Sequence, residues 1–159
     1  MMASTARLHH IAFVVCSIRE AAERLTRILS GVWDGRIVNI PEQAVWVSFV
    51  RRITPGEPLL ELVQPVDEQS PVAAFLKRGG GLHHLCYEVE DLQTEIECAG
   101  SEGSIVVQKP VPAAAFGDRR VAWVFTRDRL LLEYLERQEC LSHPRLGTQE
   151  APAAATGRG

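Results

Sequence analysis

Residues 8–15 read LHHIAFVV and residues 82–89 read LHHLCYEV. Four of the eight positions are identical at an offset of 74, and both stretches have strand length and apolar alternation. Each is followed by a helical pattern, SIREAAERLTRIL after the first and DLQTEIECAG after the second. Ser17 and Asp91 are suited to capping these helices, because a short polar side chain can accept a hydrogen bond from the free N–H groups of the first turn. The repeat then resumes. VSFV at 47–50 matches VAWV at 121–124 at the same offset, and LLEL at 59–62 answers LLEY at 131–134 at an offset of 72.

A period of this length is too long for a solenoid and implies duplication of one β-α-β-β-β module. Strands are expected near 7–15, 36–40, 44–52 and 58–64, then near 82–89, 104–108, 119–125 and 130–136, with helices near 17–30 and 91–100. The stretch SPVAAFLKRGGG predicts a linking helix at about 70–79, with Ser70 as cap, Pro71 in the first turn and Gly79 as the stop. The fold class is therefore α+β, with two paired βαβββ modules forming an open, curved mixed sheet around a cleft. Module one covers about 7–65 and module two about 81–137, in one domain over 1–139. Residues 140–159, CLSHPRLGTQEAPAAATGRG, hold no aromatic and no apolar period, and are expected to be a disordered tail in which His143 is solvated.

Composition narrows the function. Of 159 residues, 46% are hydrophobic and 23% charged, with 17 Lys+Arg against 20 Asp+Glu and a net charge of −3. There is no basic excess to neutralise a phosphate backbone, so no nucleic-acid partner is expected. No apolar run has the length that a bilayer-crossing helix needs, so no membrane partner is expected. The few residues before the first strand lack the apolar core of a secretory signal. Cys16, Cys86, Cys98 and Cys140 match no CxxC pattern and read as reduced thiols of a cytoplasmic protein.

Strand alternation decides which side chains share a face. Ile11, Phe13 and Val15 form the face that packs under the first helix, and Leu85, Tyr87 and Val89 form its counterpart. The opposite face holds His10, Ala12 and Val14 in one strand and His84, Cys86 and Glu88 in the other. His9 and His83 take the other parity and read as strand-edge or supporting histidines, and Cys86 reads as a packed thiol near the cleft. Glu61 in PLLELVQP and Glu133 in RLLLEYLE are carboxylates inside apolar strands. Such groups are costly to bury unless they are paired, hydrogen-bonded or bound to a cation. A pseudo-twofold relation between the modules brings His10, His84, Glu61 and Glu133 to one point. Two imidazoles and two carboxylates suit a divalent ion such as Co, Mn, Ni, Zn or Fe. Arg119 and Arg120, after FGD, are candidate partners for a substrate phosphate or carboxylate, against a reading as solvated charges that Arg51 and Arg52 share.

From Arg7 to Glu136 the chain resembles the vicinal oxygen chelate superfamily and, within it, the methylmalonyl-CoA epimerases. The segments that carry the resemblance are LHHIAFVV, EQAVWVSFV, LLELVQPVDEQSPVAAFLKRGGGLHHLCYEVED and RRVAW…LLLEYLE. It implies that His10, Glu61, His84 and Glu133 are metal ligands. It also implies that Glu133 is a proton carrier in an epimerisation α to an acyl-CoA thioester, through an enolate stabilised by the metal. A homodimer is expected by the same likeness. Two departures stand out. Some members have a second Glu where this chain has Val47, and the usual Gly-rich His-Pro-Lys segment is replaced by TRDR, Thr126 to Arg129. The resemblance also admits a glyoxalase-type lyase or isomerase, or a non-enzymatic small-molecule-binding member.

Overall fold

The computed structural model describes residues 5–138. The segment expected to be a tail, with Cys140 and His143, lies outside the described residues. The elements run β1 (Arg7–Val14), α1 (Ile18–Ile28), β2 (Gly31–Val32), β3 (Val38–Ile40), β4 (Val45–Arg52), β5 (Leu59–Pro65), α2 (Ala73–Lys77), β6 (Gly81–Val89), α3 (Leu92–Ser101), β7 (Ile105–Ala113), β8 (Arg119–Phe125) and β9 (Leu131–Glu136). Short 3₁₀ turns occupy Pro41–Gln43 and Ala114–Phe116.

The two helices after β1 and β6 start where the capping residues stand. Ser17 Oγ accepts from the Glu20 N–H at 3.3 Å, and Asp91 Oδ1 accepts from the N–H groups of Gln93 and Thr94 at 2.9 and 3.2 Å. The linking helix is shorter than expected. Helix α2 has no side-chain cap; Ser70 contributes its carbonyl to a preceding turn, accepting from the Ala73 N–H, while its buried Oγ has no partner among the described residues. Its end is abrupt because Gly79 and Gly80 turn the chain back with positive φ and donate to Leu76 and Phe75 carbonyls. Gly80 packs so tightly that a Cβ would lie 2.6 Å from the Val14 carbonyl oxygen.

The nine strands among the described residues form one mixed sheet in the order β2-β4-β5-β1-β6-β9-β8-β7, with β3 also on β4. Strand β1 is parallel to β5, β6 is parallel to β9, and the two modules meet through the antiparallel pair β1–β6. Strand β7 runs on to Ala113, well past its expected C-terminal end. Pro110 and Pro112 do not stop it, since it is an edge strand with register shifts, where a missing N–H breaks no inner ladder.

One face of the sheet carries the helices. Ile18, Ala21 and Ala22 of α1 pack on Phe13, Val15, Val50 and Leu62, and Leu92 of α3 packs on Tyr87, Val89, Val124 and Tyr134. Burial of a side chain such as Ile18 contributes about 1.5–3 kcal/mol. The opposite face holds two further apolar clusters, one with Ala12, Val14, Val45, Val47 and Val63, the other with Cys86, Val121 and Leu135. Cys86 is thus a packed thiol; burial, and next the charge of Glu133, push its pKa up. Cys16 and Cys98 are free and exposed. No helix among the described residues is long and apolar enough to cross a membrane.

Candidate metal centre

The site is written in the strand register. One row across the sheet reads Phe49, Glu61, Ala12, His84, and the next reads His10, Cys86, Glu133, Trp123. The rows are copies of one another. Phe49 and Trp123, Ala12 and Cys86, and His10 and His84 are each related by the repeat offset of 74, and Glu61 and Glu133 by 72. Within a row, each Glu and its His stand two strands apart, about 9–10 Å between backbones. A small residue, Ala12 or Cys86, lies between them, so the long side chains can lean together above it.

They converge closely. His10 Nε2 lies 3.2 Å from His84 Nε2, 3.3 Å from Glu61 Oε2 and 3.2 Å from Glu133 Oε2. His84 Nε2 lies 3.3 Å from Glu61 Oε2 and 3.7 Å from Glu133 Oε2. All four residues are buried. Donors held about 2.1 Å from one ion in tetrahedral array stand about 3.4 Å apart, so the His–His and His–Glu spacings fit a shared divalent ion, and the donor atoms of His10, Glu61 and His84 all lie within 4.8 Å of one another. Charge fits as well: two carboxylates and two neutral imidazoles carry −2, which one divalent ion cancels. Donor chemistry and spacing therefore both accommodate the ion that the sequence implies.

In the absence of an ion the four groups compensate one another. Burial pushes the His10 pKa down, but hydrogen bonds to Glu133 and Glu61 outweigh it and lift it to about 9. His84 is raised by the same balance. Burial pushes Glu61 up, yet hydrogen bonds from His10 and His84 hold it down to about 2, and Glu133 is lowered likewise.

Two features correct the simple parity of the strands. The β1–β6 register skips between Leu8 and His10, and again between Ala12 and Phe13, opposite His84 and Leu82. His9 and His83 are thus the extra residues of two β-bulges, which re-aim side chains. Each turns toward its neighbour: His9 Nδ1 is 2.9 Å from His10 Nδ1, and His83 Nδ1 is 3.0 Å from His84 Nδ1. Burial first, and the neighbouring histidine next, lower the pKa of His9 and take that of His83 to about 4.

Aromatic rings wall the cluster. Phe116 stacks on the His10 ring, Phe49 meets it edge-on, and Trp123 meets His84 edge-on at 4.6 Å. The pair Phe49 and Trp123 is visible in the sequence as VSFV against VAWV, whereas Phe116 carries no signal there. A cavity of about 710 Å³ opens above the carboxylates. Glu61, His84 and Glu133 form its floor with Trp123, and Val45, Val47, Val63, Val121 and Leu131 are among its apolar walls; His83 also faces it.

The arginines are elsewhere. Neither Arg119 nor Arg120 lines this cavity. Arg119 donates to Glu88 at 2.7 Å, and Arg120 is paired with Glu136 at the surface. Each charge is paired with a carboxylate on another strand of the sheet, so neither arginine is placed toward this cavity. The TRDR segment is a tight turn in which Thr126 Oγ1 accepts from the Leu130 N–H at 3.0 Å, and it too lies outside the cavity lining.

Comparison with known proteins gives consistent likenesses. The family model described as the Glyoxalase/Bleomycin resistance protein/Dioxygenase superfamily matches residues 9–123. An ethylmalonyl-CoA/methylmalonyl-CoA epimerase of Cereibacter sphaeroides is 32% identical over 124 residues, 77% of this chain and 90% of that one. The mitochondrial methylmalonyl-CoA epimerase of Homo sapiens is 36% identical over 92 residues, 57% of this chain and 50% of its own length. The crystal structure of methylmalonyl-CoA epimerase from Mycobacterium tuberculosis shares the fold, with a TM-score of 0.72 and 24% identity over 87% of this chain and 93% of that one.

Proposed function

Since this chain belongs to the glyoxalase/bleomycin resistance protein/dioxygenase superfamily, we propose that it is an isomerase that inverts the carbon α to the thioester carbonyl of a small acyl-CoA, most like methylmalonyl-CoA. The observation that carries the reading is the doubled His/Glu cluster, of which Glu61, His84 and Glu133 form the floor of the cavity and His10 lies buried against them. His10, Glu61, His84 and Glu133 would hold a divalent ion there. Bound there, such an ion would supply Lewis-acid stabilisation of negative charge developing next to the thioester.

The protein's own groups do the rest. The Glu133 carboxylate takes and returns the α-proton on its side of the substrate. The aliphatic walls exclude water from the developing charge, and the cavity volume is within the range that encloses a small ligand. Val47 lines the cavity but carries no proton, so the opposite face is served by another group. Arg119 and Arg120, already paired, have no part in the proposal. The exposed residues Ile105, Val106 and Val107 on the open β7 edge are the part of the sheet that a second copy would cover in a homodimer.

The test is incubation of the cobalt-loaded protein with (2R)- and (2S)-methylmalonyl-CoA in D2O, beside a small panel of other acyl-CoA thioesters and a hemithioacetal. Deuterium at the α-carbon with interconversion of the epimers supports the reading. Exchange on another thioester alone moves the substrate, turnover of the hemithioacetal alone moves the reaction to the glyoxalase type, and no exchange at all removes the epimerase.

A further inference from the structure

His9 and His83 are the feature of the site that the proposed reaction leaves without a role. We propose that they are positioning residues, each fixing the tautomer and ring orientation of the metal-binding histidine beside it. The inference rests on the metal-centre reading above.

Three observations carry it. First, both are bulge residues placed symmetrically in the two modules, since His9 and His83 are repeat counterparts and each interrupts the same β1–β6 ladder. A bulge is what allows neighbouring residues of one strand to meet side by side rather than point to opposite faces. Second, both contacts join Nδ1 to Nδ1, at 2.9 and 3.0 Å. Third, an aromatic ring meets each supporting imidazole edge-on, Phe116 for His9 and Phe75 for His83, and so confines its rotation.

The proton inventory of imidazole then leaves one arrangement. A neutral ring has one N–H and one lone pair. For His10 and His84 to present the Nε2 lone pair to an ion, their protons must be on Nδ1. Those Nδ1–H groups donate to the Nδ1 lone pairs of His9 and His83, whose own protons are therefore on Nε2. A histidine ligand ordinarily gives its outer N–H to a carboxylate, a carbonyl or water, and loss of that partner typically costs about 10–100-fold in metal affinity. Here the acceptor is a second histidine, supplied by a bulge in each half of a duplicated fold.

Substitution separates this role from mere filling of space. The Oδ1 of asparagine falls near the place of Nδ1 and accepts a hydrogen bond, while leucine has similar bulk and accepts none. We expect H9N and H83N to keep Co2+ affinity within about threefold of the parent, and H9L and H83L to lose about 10–100-fold, with the visible cobalt absorption band shifted. Affinity is measured by competition with a chelator. In parallel, long-range 1H–15N spectra of the metal-free parent protein should show His9 and His83 protonated on Nε2. Unchanged affinity in the leucine variants overturns the proposal, as do equal losses for Asn and Leu, or Nδ1–H on His9 and His83. If the parent protein binds no Co2+, the metal-centre reading falls, and the 15N spectra alone decide the positioning role.

Discussion

Ile11 and Leu85 face each other across the β1–β6 pair and are also each other's counterparts in the sequence repeat. A residue that pairs with its own repeat image lies on the symmetry axis. The pseudo-twofold of the molecule therefore passes between Ile11 and Leu85, and His10 and His84 stand one step from it on opposite sides. Both are on the same face of the sheet, and their Nε2 atoms approach to 3.2 Å. The position of the cluster follows from this one register.

Removal of a ligand should empty the site. His10→Ala leaves two buried carboxylates facing a single imidazole, so bound metal should fall below one-tenth of the parent stoichiometry, read by elemental analysis of protein dialysed against Co2+. Full occupancy in this variant would sink the four-ligand assignment.

Glu133→Gln keeps the shape and removes both the charge and the proton-accepting oxygen. Exchange of the α-hydrogen of methylmalonyl-CoA with D2O should drop about 10²–10⁴-fold, the usual contribution of a positioned general base. If exchange persists at the parent rate under saturating metal, the proton carrier is another group.

Metal-free protein should lose stability in alkali. His10 has its pKa raised from 6.5 to about 9, so its folded form binds the proton more tightly than the unfolded chain does. Its stabilisation is complete below pH 6.5 and is lost as the pH rises toward 9. Glu61 is lowered from 4.5 to about 2, so its contribution is complete above pH 4.5 and is lost on acidification toward 2. His83, lowered from 6.5 to about 4, destabilises the fold as the pH falls below 6.5, so thermal midpoints of chelator-treated protein should be highest near pH 6.5 and fall from there to pH 9. A flat profile over that upper range contradicts the assigned His–Glu pairing.

Ala12 is the gap through which Glu61 and His84 meet. It is fully buried, and Ala12→Leu adds three heavy atoms under both side chains. Overpacking of this kind typically costs about 1–3 kcal/mol, measured as a shift in the urea midpoint. Co2+ affinity should fall at least about tenfold because the ligands are displaced.

Gly80→Ala tests the junction between the modules. The position has φ +65° and its Cβ would collide with the Val14 carbonyl, so a loss of about 1–3 kcal/mol is expected in urea denaturation. Because the Val14 end of β1 is held by this contact, the cost should appear as global stability, with Co2+ affinity changed by less than about threefold.

The duplication, the order of the two helices and of eight strands, and the four converging residues were legible in the chain because period-2 alternation and repeated motifs record which side chains share a face; the two-residue β2, Gly31–Val32, is too short to leave such a pattern. Caps were legible where a side chain makes the bond, at Ser17 and Asp91, and misleading at Ser70, where the bond is made by backbone. The length of β7 was hidden by its prolines, which an edge strand tolerates.

What the sequence by itself determined is the pair of modules and the residue types they bring together, since burial energy enforces alternation along a strand. Only the tertiary structure decided the bulges at His9 and His83, the contact of Arg119 with Glu88 and Arg120 with Glu136, and the roof of Phe116 over His10. Each of these depends on the pairing of strands far apart in the chain. A one-residue slip in the ladder changes where a side chain points, and no local pattern in either strand records that slip.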